Sequence, residues 1–387
     1  MQRMGELITR SGVERMASRV VSGLGIVGLI AAFAASPHDA RSAASQVWPP
    51  FVLVTGLLLV GLIADEDGLF AFVGRRLSMA SSSGVWLFAG ATLMIGVVTA
   101  VLNLDTSVAF LTPVLIYAAK NRGGGEAPML YGCLLLSNAG SLFLPGSNLT
   151  NLIVLGHLHL TGIAFFSDMW EPALAALLVT ALVIAAVEHR DLRRRADSDQ
   201  TVQRPKIGLG VAAIVASASL ILLVPSPALA VAALGIVAIG LRIVSGKESI
   251  RHATEIVGAP LLLGLFGIAV ALGTLGRLWV GPATLFSHLG IWATSAGAAL
   301  AAVAVNNLPA ASLLAARTPS HPFALLIGLN LGPNLFVSGS LAWVLWYRVA
   351  KRAGSQPSLM RASRIGVIAV PLSMAAALGI LAAKGLS

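Results

Sequence analysis

The sequence predicts an all-α polytopic membrane protein, with about ten spans plus two re-entrant hairpins and two broken helices in an inverted twofold repeat. Three observations lead there. The chain is 57% hydrophobic and 11% charged, with a mean hydropathy of +0.87; a soluble domain carries about a quarter charged residues. Long apolar runs recur from one end to the other. Two segments also match across the halves, NAGSLFLPGSNL at 138–149 and NLGPNLFVSGSL at 330–341. With Asn334 as an insertion they pair Asn138 with Asn330, Gly140 with Gly332, Leu142-Phe143 with Leu335-Phe336, and Gly146-Ser147 with Gly339-Ser340. Each breaks an apolar stretch with Gly, Pro, Ser and Asn. In membrane proteins, such breaks at matching places of two halves point to a transport site.

The elements follow in order. Arg3, Arg10, Arg15 and Arg19 precede the first apolar segment, 20–36; that run is long for the core of a signal peptide and more spans follow, so it reads as the first transmembrane helix. A second span covers 48–64. Residues 67–80 (DGLFAFVGRRLSMA) are too short and too basic to cross and predict an interfacial helix. Two apolar arms, 84–102 and 105–119, flank Asn103-Leu104-Asp105. Gly, Asn, Asp and Thr are poor residues for a lipid-facing turn, so this stretch predicts a re-entrant hairpin, 84–119, with a buried tip. A helix over 128–160 is broken near Pro145–Asn148, and 170–187 spans again.

The linker 188–206 is charged throughout and divides the chain into 1–187, the first repeat, and 207–387. The second part opens with a connecting span at 207–224 and continues with spans at 227–244 and 258–275. A second hairpin, 284–316, turns at Asn306-Asn307, a second broken helix covers 322–350, and a last span covers 364–386.

Charge orients the chain. With a cytoplasmic N-terminus, and the first hairpin entering and leaving on the inside, only Arg41, Arg277, Arg317 and Lys384 of the 26 lysines and arginines fall elsewhere. That is a strong positive-inside bias. The same threading brings the second hairpin in from the outside, so the halves are inverted. The net charge of +10 therefore reads as topology beside a lipid bilayer, with no nucleic-acid partner. The one cysteine, Cys133, allows neither an intramolecular disulfide nor a thiolate cluster and reads as a packing residue.

Asp105 is the only acidic residue between Asp67 and Glu126. At bilayer depth a carboxylate is costly to leave charged, which makes it the candidate proton- or ion-coupling group. It is also placed to cap the following helix by accepting from the amides of Ser107 or Val108. Asn103 and Thr106 share its tip. Ser147, Asn148 and Asn151 sit at the first break, Asn334, Ser338 and Ser340 at the second, and Asn306 and Asn307 at the second tip. Interrupted helices leave amides and carbonyls unpaired, and with Asn and Ser side chains these can surround a small polar solute. The alternative is that they only cap helices and join them.

Other features carry less. His157 and His159, two apart, face different ways on a helix, so no metal site is expected there. Gly123-Gly124-Gly125 is followed by Glu126 and reads as a loop, not a nucleotide cradle. Trp48, Trp170, Trp343, Trp346 and Tyr347 near span ends predict an aromatic belt. No zinc-protease motif, nucleophile elbow or nucleotide site occurs, so the chain reads as a carrier without cofactor or catalytic residues.

The stretch GLNLGPNLFVSGSLAWVLWYRV at 328–349 resembles the signature of the arsenical pump membrane protein family, ArsB, in the wider ion transporter superfamily. VNNLP at 305–309 resembles that family's Asn-Asn-Met/Leu-Pro hairpin. LPGSNLTNLI resembles its Ser-Asn-x-x-Asn break, and LDTSVAFLTP its acidic hairpin tip. The resemblance covers 84–386; residues 1–83 match only in their pattern of spans. It implies a secondary carrier in the inner membrane of a prokaryote that expels arsenite or antimonite in exchange for protons. It also implies a scaffold domain, a transport domain holding both hairpins and both broken helices, and elevator-type sliding of one against the other. Members work alone or with a partner ATPase subunit. This sequence departs from the pattern where Leu104, not Asn, precedes Asp105, and where Asn334 stands in place of the Lys some members carry after Gly-Pro.

Arsenite near neutral pH is mostly an uncharged trihydroxide, which suits Asn, Ser and free amides, whereas a cysteine cluster would hold As(III) too tightly for release. The alternatives on the same scaffold are a sodium/proton antiporter and a dicarboxylate transporter. Dicarboxylate relatives carry Ser-Asn-Thr at the hairpin tips; here the tips read Leu-Asp-Thr and Asn-Asn-Leu.

Overall fold

A backbone in hydrocarbon must satisfy its own polar groups, and every regular element among the described residues is helical. The computed structural model describes residues 2–81, 83–122, 124–156, 158, 160–193, 208–224, 226–246 and 248–386; Gly123, His157, His159 and linker residues 194–207 lie outside them.

Helix α1 (Gln2–Ala35) turns at Ser36 into α2 (Pro37–Glu66). The Ser36 hydroxyl accepts from the Asp39 amide at 3.3 Å, and Pro37 opens the first turn, where its missing N–H costs nothing. Left-handed Gly68 leads into the short α3 (Leu69–Ala80), whose Phe70 stacks on Phe110 with ring centroids 5.6 Å apart. Then come α4 (Gly84–Val101) and α5 (Leu104–Asn121), an adjacent pair joined at Leu102-Asn103. Helix α6 (Ala127–Gly140), a 3-10 turn at Pro145–Ser147 and α7 (Leu149–Leu155) form the first broken helix. Helices α8 (Gly162–Val187) and α9 (His189–Leu192) close the first half.

The second half holds α10 (Leu209–Leu223), α11 (Ala228–Val244), α12 (Ile250–Val257), α13 (Ala259–Leu278), α14 (Gly281–Ser287), α15 (Ile291–Val305) and α16 (Asn307–Leu314). Helix α17 (Pro322–Leu331), 3-10 turns at Gly332–Asn334 and Val337–Gly339, and α18 (Ala342–Arg352) form the second broken helix; α19 (Leu359–Ala383) ends the fold. Among the described residues five helices, α2, α4, α8, α13 and α19, are long and apolar enough to cross a membrane, and α10, α11, α15 and the 19–35 part of α1 are shorter apolar helices.

The structure differs from expectation in three places. The arm expected over 284–304 is split, because extended Gly290 separates α14 from α15. Helix α12 adds a short amphipathic element before α13 that apolar-run counting passes over. Trp343 and Trp346 are not belt residues. Both are fully buried; their ring N–H groups donate to the carbonyls of Pro333 (2.8 Å) and Leu130 (2.7 Å). Helix α18 turns its tryptophan face inward on α5 and α6, so these rings anchor the second break. Trp48 and Trp170, each 40% exposed, remain at the surface.

Helix α2 is the hub, packing on α1, α10, α11 and α13. Its approach to α11 is close enough that a Cβ on Gly56 would lie 2.7 Å from the Ala232 backbone, the small-residue packing by which membrane helices associate. At its far end Asp67 takes an ion pair from Arg242 of α11 and accepts from the Gly210 amide of α10 at 2.7 Å. Helices α8 and α19 pack along each other and are joined by the Arg361–Glu188 ion pair.

Candidate functional site

Each hairpin tip is built on an asparagine. Asn103 (φ 137°) and Asn306 (φ 79°) are the only described non-glycine residues with positive φ. Such backbone costs about 1–3 kcal/mol and persists where the surroundings demand it. Asparagine tolerates it because its short amide caps the helix that follows. Asn103 Oδ1 accepts from the Thr106 amide at 2.7 Å to start α5, and Asn306 Oδ1 accepts from the Leu308 amide at 3.4 Å to start α16. The cap of α5 is therefore Asn103 and not Asp105, because the chain turns at residue 103 and leaves Asp105 inside the first helical turn. Freed from capping, the partly buried Asp105 carboxylate has no hydrogen-bond or ion-pair partner among the described residues.

Each tip docks on the break of its own half. Ser147 Oγ donates to the Ala100 carbonyl at 3.0 Å, next to the first tip, and Asn306 Nδ2 donates to the Ser338 carbonyl at 3.3 Å. The two breaks then lock to each other. Asn330 Oδ1 accepts from Ser141 Oγ (2.6 Å) and Asn148 Nδ2 (2.7 Å), and its Nδ2 donates to Asn151 Oδ1 (2.8 Å) and to the Leu326 carbonyl (2.9 Å). Asn138 Nδ2 donates to Asn334 Oδ1 at 2.9 Å, and Asn334 Nδ2 to the Leu135 carbonyl at 3.0 Å. Tip, break, break and tip thus form one continuous polar line through a buried apolar core.

This arrangement sorts the candidate residues. Asn148, Asn151 and Asn334 belong to the interlock and have their amides engaged there. Ser147 and Ser340 fasten the breaks locally; Ser340 Oγ accepts from the Ala342 amide at 3.2 Å. Asn103 and Thr106 are fully buried, yet Asn103 Nδ2 and Thr106 Oγ1 have no partner among the described residues. Asn307 is buried with no side-chain hydrogen bond to a described residue, and Ser338 is exposed. Asn138, Asn330 and Ser141 were missed as interlock residues. Their signal was the matched position of Asn138 and Asn330 at the head of the two repeated segments.

The breaks also differ in cover. In the first, a Cβ on Gly146 would meet Ile221 and Leu53 at 3.2 and 3.4 Å, so α10 and α2 seal it. In the second, Phe336 (48%) and Val337 (43%) are exposed beside Ser338. Unpartnered buried atoms gather in the first half, where Thr99 Oγ1, Asn138 Oδ1 and Thr150 Oγ1 join those of Asn103 and Thr106. Each costs about 1–3 kcal/mol while unsatisfied. Over 99–107, 138–151, 305–309 and 330–341, Asp105 is the single ionisable side chain. The cluster can therefore engage a neutral or weakly charged solute with amides, hydroxyls and one carboxylate.

The citrate transporter family model, CitMHS, matches residues 8–347. The chain belongs to that family. Among the chain's relatives, the arsenical pump membrane protein of Escherichia coli strain K12 is 24% identical over 382 residues, covering 89% of this chain and 88% of that one. The silicon efflux transporter LSI3 of Oryza sativa subsp. japonica is 26% identical over 183 residues, covering 47% of this chain and 37% of its own. The solved structure of the YdaH transporter of Alcanivorax borkumensis overlaps at a TM-score of 0.49 and 13% identity, covering 88% of this chain and 86% of that chain. The resemblance to the arsenical pump membrane proteins thus holds over most of the chain, and the protein is a multi-pass membrane transporter.

Proposed function

We propose that this transporter exports arsenite or antimonite across the cytoplasmic membrane of a prokaryote in exchange for protons. The observation that carries the reading is Asp105: one unpaired carboxylate at a strained tip, in a cluster otherwise built of amides and hydroxyls. A neutral trihydroxide needs donors and acceptors, which Asn103, Thr106, Asn307 and the second break supply, and the exchanged proton needs one titrating group. Citrate, which the family description names, is a multiply charged anion that cationic side chains would pair with, and the Ser-Asn-Thr tips of the dicarboxylate relatives are absent here. The tips and breaks hold no Lys, Arg or His. The arsenical pump proteins among the relatives support the same choice.

In this reading the halves 1–187 and 207–387 act as inverted repeats. The tips and breaks move as one body against α2, α11 and α13, so that the solute meets each side in turn. Asp105 takes a proton from outside and releases it toward the cytoplasm.

Transport in everted membrane vesicles with an imposed proton gradient tests the reading, comparing arsenite, sodium and succinate. Arsenite accumulation that collapses with a protonophore is the expected result. Sodium-driven dissipation of the gradient without arsenite movement would transfer the same site to a sodium/proton antiporter, and succinate accumulation would transfer it to a carboxylate carrier.

A further inference from the structure

Helices α7 and α16 are the two short half-helices that start at the site. One is capped by Asn148 at the first break, the other by Asn306 at the second tip. Their far ends lie about 10–12 Å away at 1.5 Å per residue. There the orphan carbonyls that end every helix must find donors. A single side chain meets both. Gln46 Nε2 donates to the Ile153 carbonyl of α7 at 2.9 Å and to the Ala315 carbonyl closing α16 at 3.0 Å. These residues lie 107 and 269 positions from Gln46 in the chain, one in each half.

The orientation of that amide is fixed by chemistry. An amide NH2 has two hydrogens, and both are used on carbonyls. Its oxygen faces Arg277 of α13, whose Nη2 donates to Oε1 at 2.7 Å while Nη1 donates to the Gly273 carbonyl at 2.9 Å. A guanidinium only donates and a carbonyl only accepts, so the side chain cannot flip without placing like groups together. Arg277 is held in turn: its carbonyl accepts from Arg317 Nη2 at 2.8 Å, just beyond α16. Helix α13 also presses on α16, where a Cβ on Gly276 would lie 2.5 Å from the Leu313 carbonyl.

We propose that Gln46, oriented by Arg277, is the clasp that holds both site half-helices against α2 and α13 in this conformation, and that its release is a step of the transport cycle. Gln46 is a positioning residue: it touches neither tip, and acts through the two helices whose opposite ends form the site. The inference rests on the proposed motion of the tips and breaks against α2 and α13, and does not depend on which solute is carried. With the clasp closed, Thr106 is fully buried against Gly61 of α2 and Ser338 is exposed. Opening it moves the population toward the conformer in which α5 has left α2.

The test reads two reporters with opposite signs. In a Cys133→Ala background, Thr106→Cys and Ser338→Cys are introduced one at a time. Full-length protein in lipid nanodiscs is labelled with a hydrophilic maleimide, without substrate. Gln46→Glu keeps the Arg277 contact but turns both donated bonds into oxygen–oxygen repulsion. It is expected to speed labelling at Thr106→Cys about fivefold or more and to slow it at Ser338→Cys by a similar factor, the low end of coupling between separated sites. Should Gln46→Glu fail to give monodisperse protein, Gln46→Met is read in the same way. Faster labelling at both reporters means that the residue only stabilises local structure, and unchanged labelling at both means that there is no clasp; either result overturns the proposal.

Discussion

Asn103 and Asn306 enter positive-φ backbone at the two hairpin tips and both cap the helix that follows, but the sequences then part. Two residues after Asn103 stands Asp105; two after Asn306 stands Leu308. The first tip sits against α2, beside a break sealed by Leu53 and Ile221, and its neighbourhood holds unpartnered buried polar atoms. The second lies beside exposed Phe336, Val337 and Ser338. The shared part is backbone geometry, which makes two matching ends of one polar line. The unshared part is chemistry: one end alone has a group that can bind and release a proton. Matched geometry builds both ends, and the single carboxylate is placed at one of them.

The comparison can be broken by moving the acid. Asp105→Leu combined with Leu308→Asp keeps one carboxylate at the tips but sets it in the half without the unpartnered Asn103 and Thr106 atoms. Proton-coupled export in vesicles is expected to fall to background; export near the wild-type rate would mean that either tip serves. A second prediction concerns the interlock. Asn330→Ala removes four hydrogen bonds and strands Asn148 Nδ2 and Asn151 Oδ1 in the core, while Ser141 keeps the Asn138 carbonyl as acceptor. It should cost at least about 3 kcal/mol, seen as a lower thermal midpoint or loss of monodisperse protein. Asn330→Ala protein as stable as wild type would remove the interlock from the account.

A smaller effect is expected where the first tip meets α2. A Cβ on Gly61 would lie 2.5 Å from Thr106 Cγ2 and 3.1 Å from Phe110. Gly61→Ala should therefore slow transport while the protein still assembles, and Thr106→Ser, which removes the offending methyl, should restore part of the rate. No recovery would place the fault elsewhere. The smallest effect is predicted for Asn306→Gly, which keeps the positive φ without added strain. Its two bonds are long, 3.3 and 3.4 Å, so the loss should be about 1 kcal/mol or less in thermal stability. A loss matching that of Asn330→Ala would erase the distinction between locked breaks and open tips.

Much of this layout is legible in the sequence, for definable reasons. Clusters of Gly, Pro, Ser and Asn inside apolar runs favour breaks or tips, so both hairpins and both broken helices are legible from the order of residue types. Individual roles were less accessible. Asn138 and Asn330 lie within helical runs, where an asparagine looks like a tolerated polar residue until its partner from the other half is known. Asp105 resembled a cap because the turn at Asn103 depends on a backbone angle that residue types do not encode uniquely. Trp343 and Trp346 resembled belt residues because their buried acceptors, the carbonyls of Pro333 and Leu130, are backbone atoms on other elements. Gln46 gave no signal at all, since its three contacts exist only once α2, α7, α13 and α16 are assembled.

The central claim, that Asp105 carries the exchanged proton, is tested most directly by arsenite-evoked proton movement. Everted vesicles with an acidic lumen and an entrapped pH dye are given arsenite, comparing wild type with Asp105→Asn at equal amounts of protein in the membrane. The account predicts that the wild-type lumen turns alkaline as arsenite enters, and that Asp105→Asn shows no such change. Alkalinisation in Asp105→Asn at the wild-type rate would contradict it.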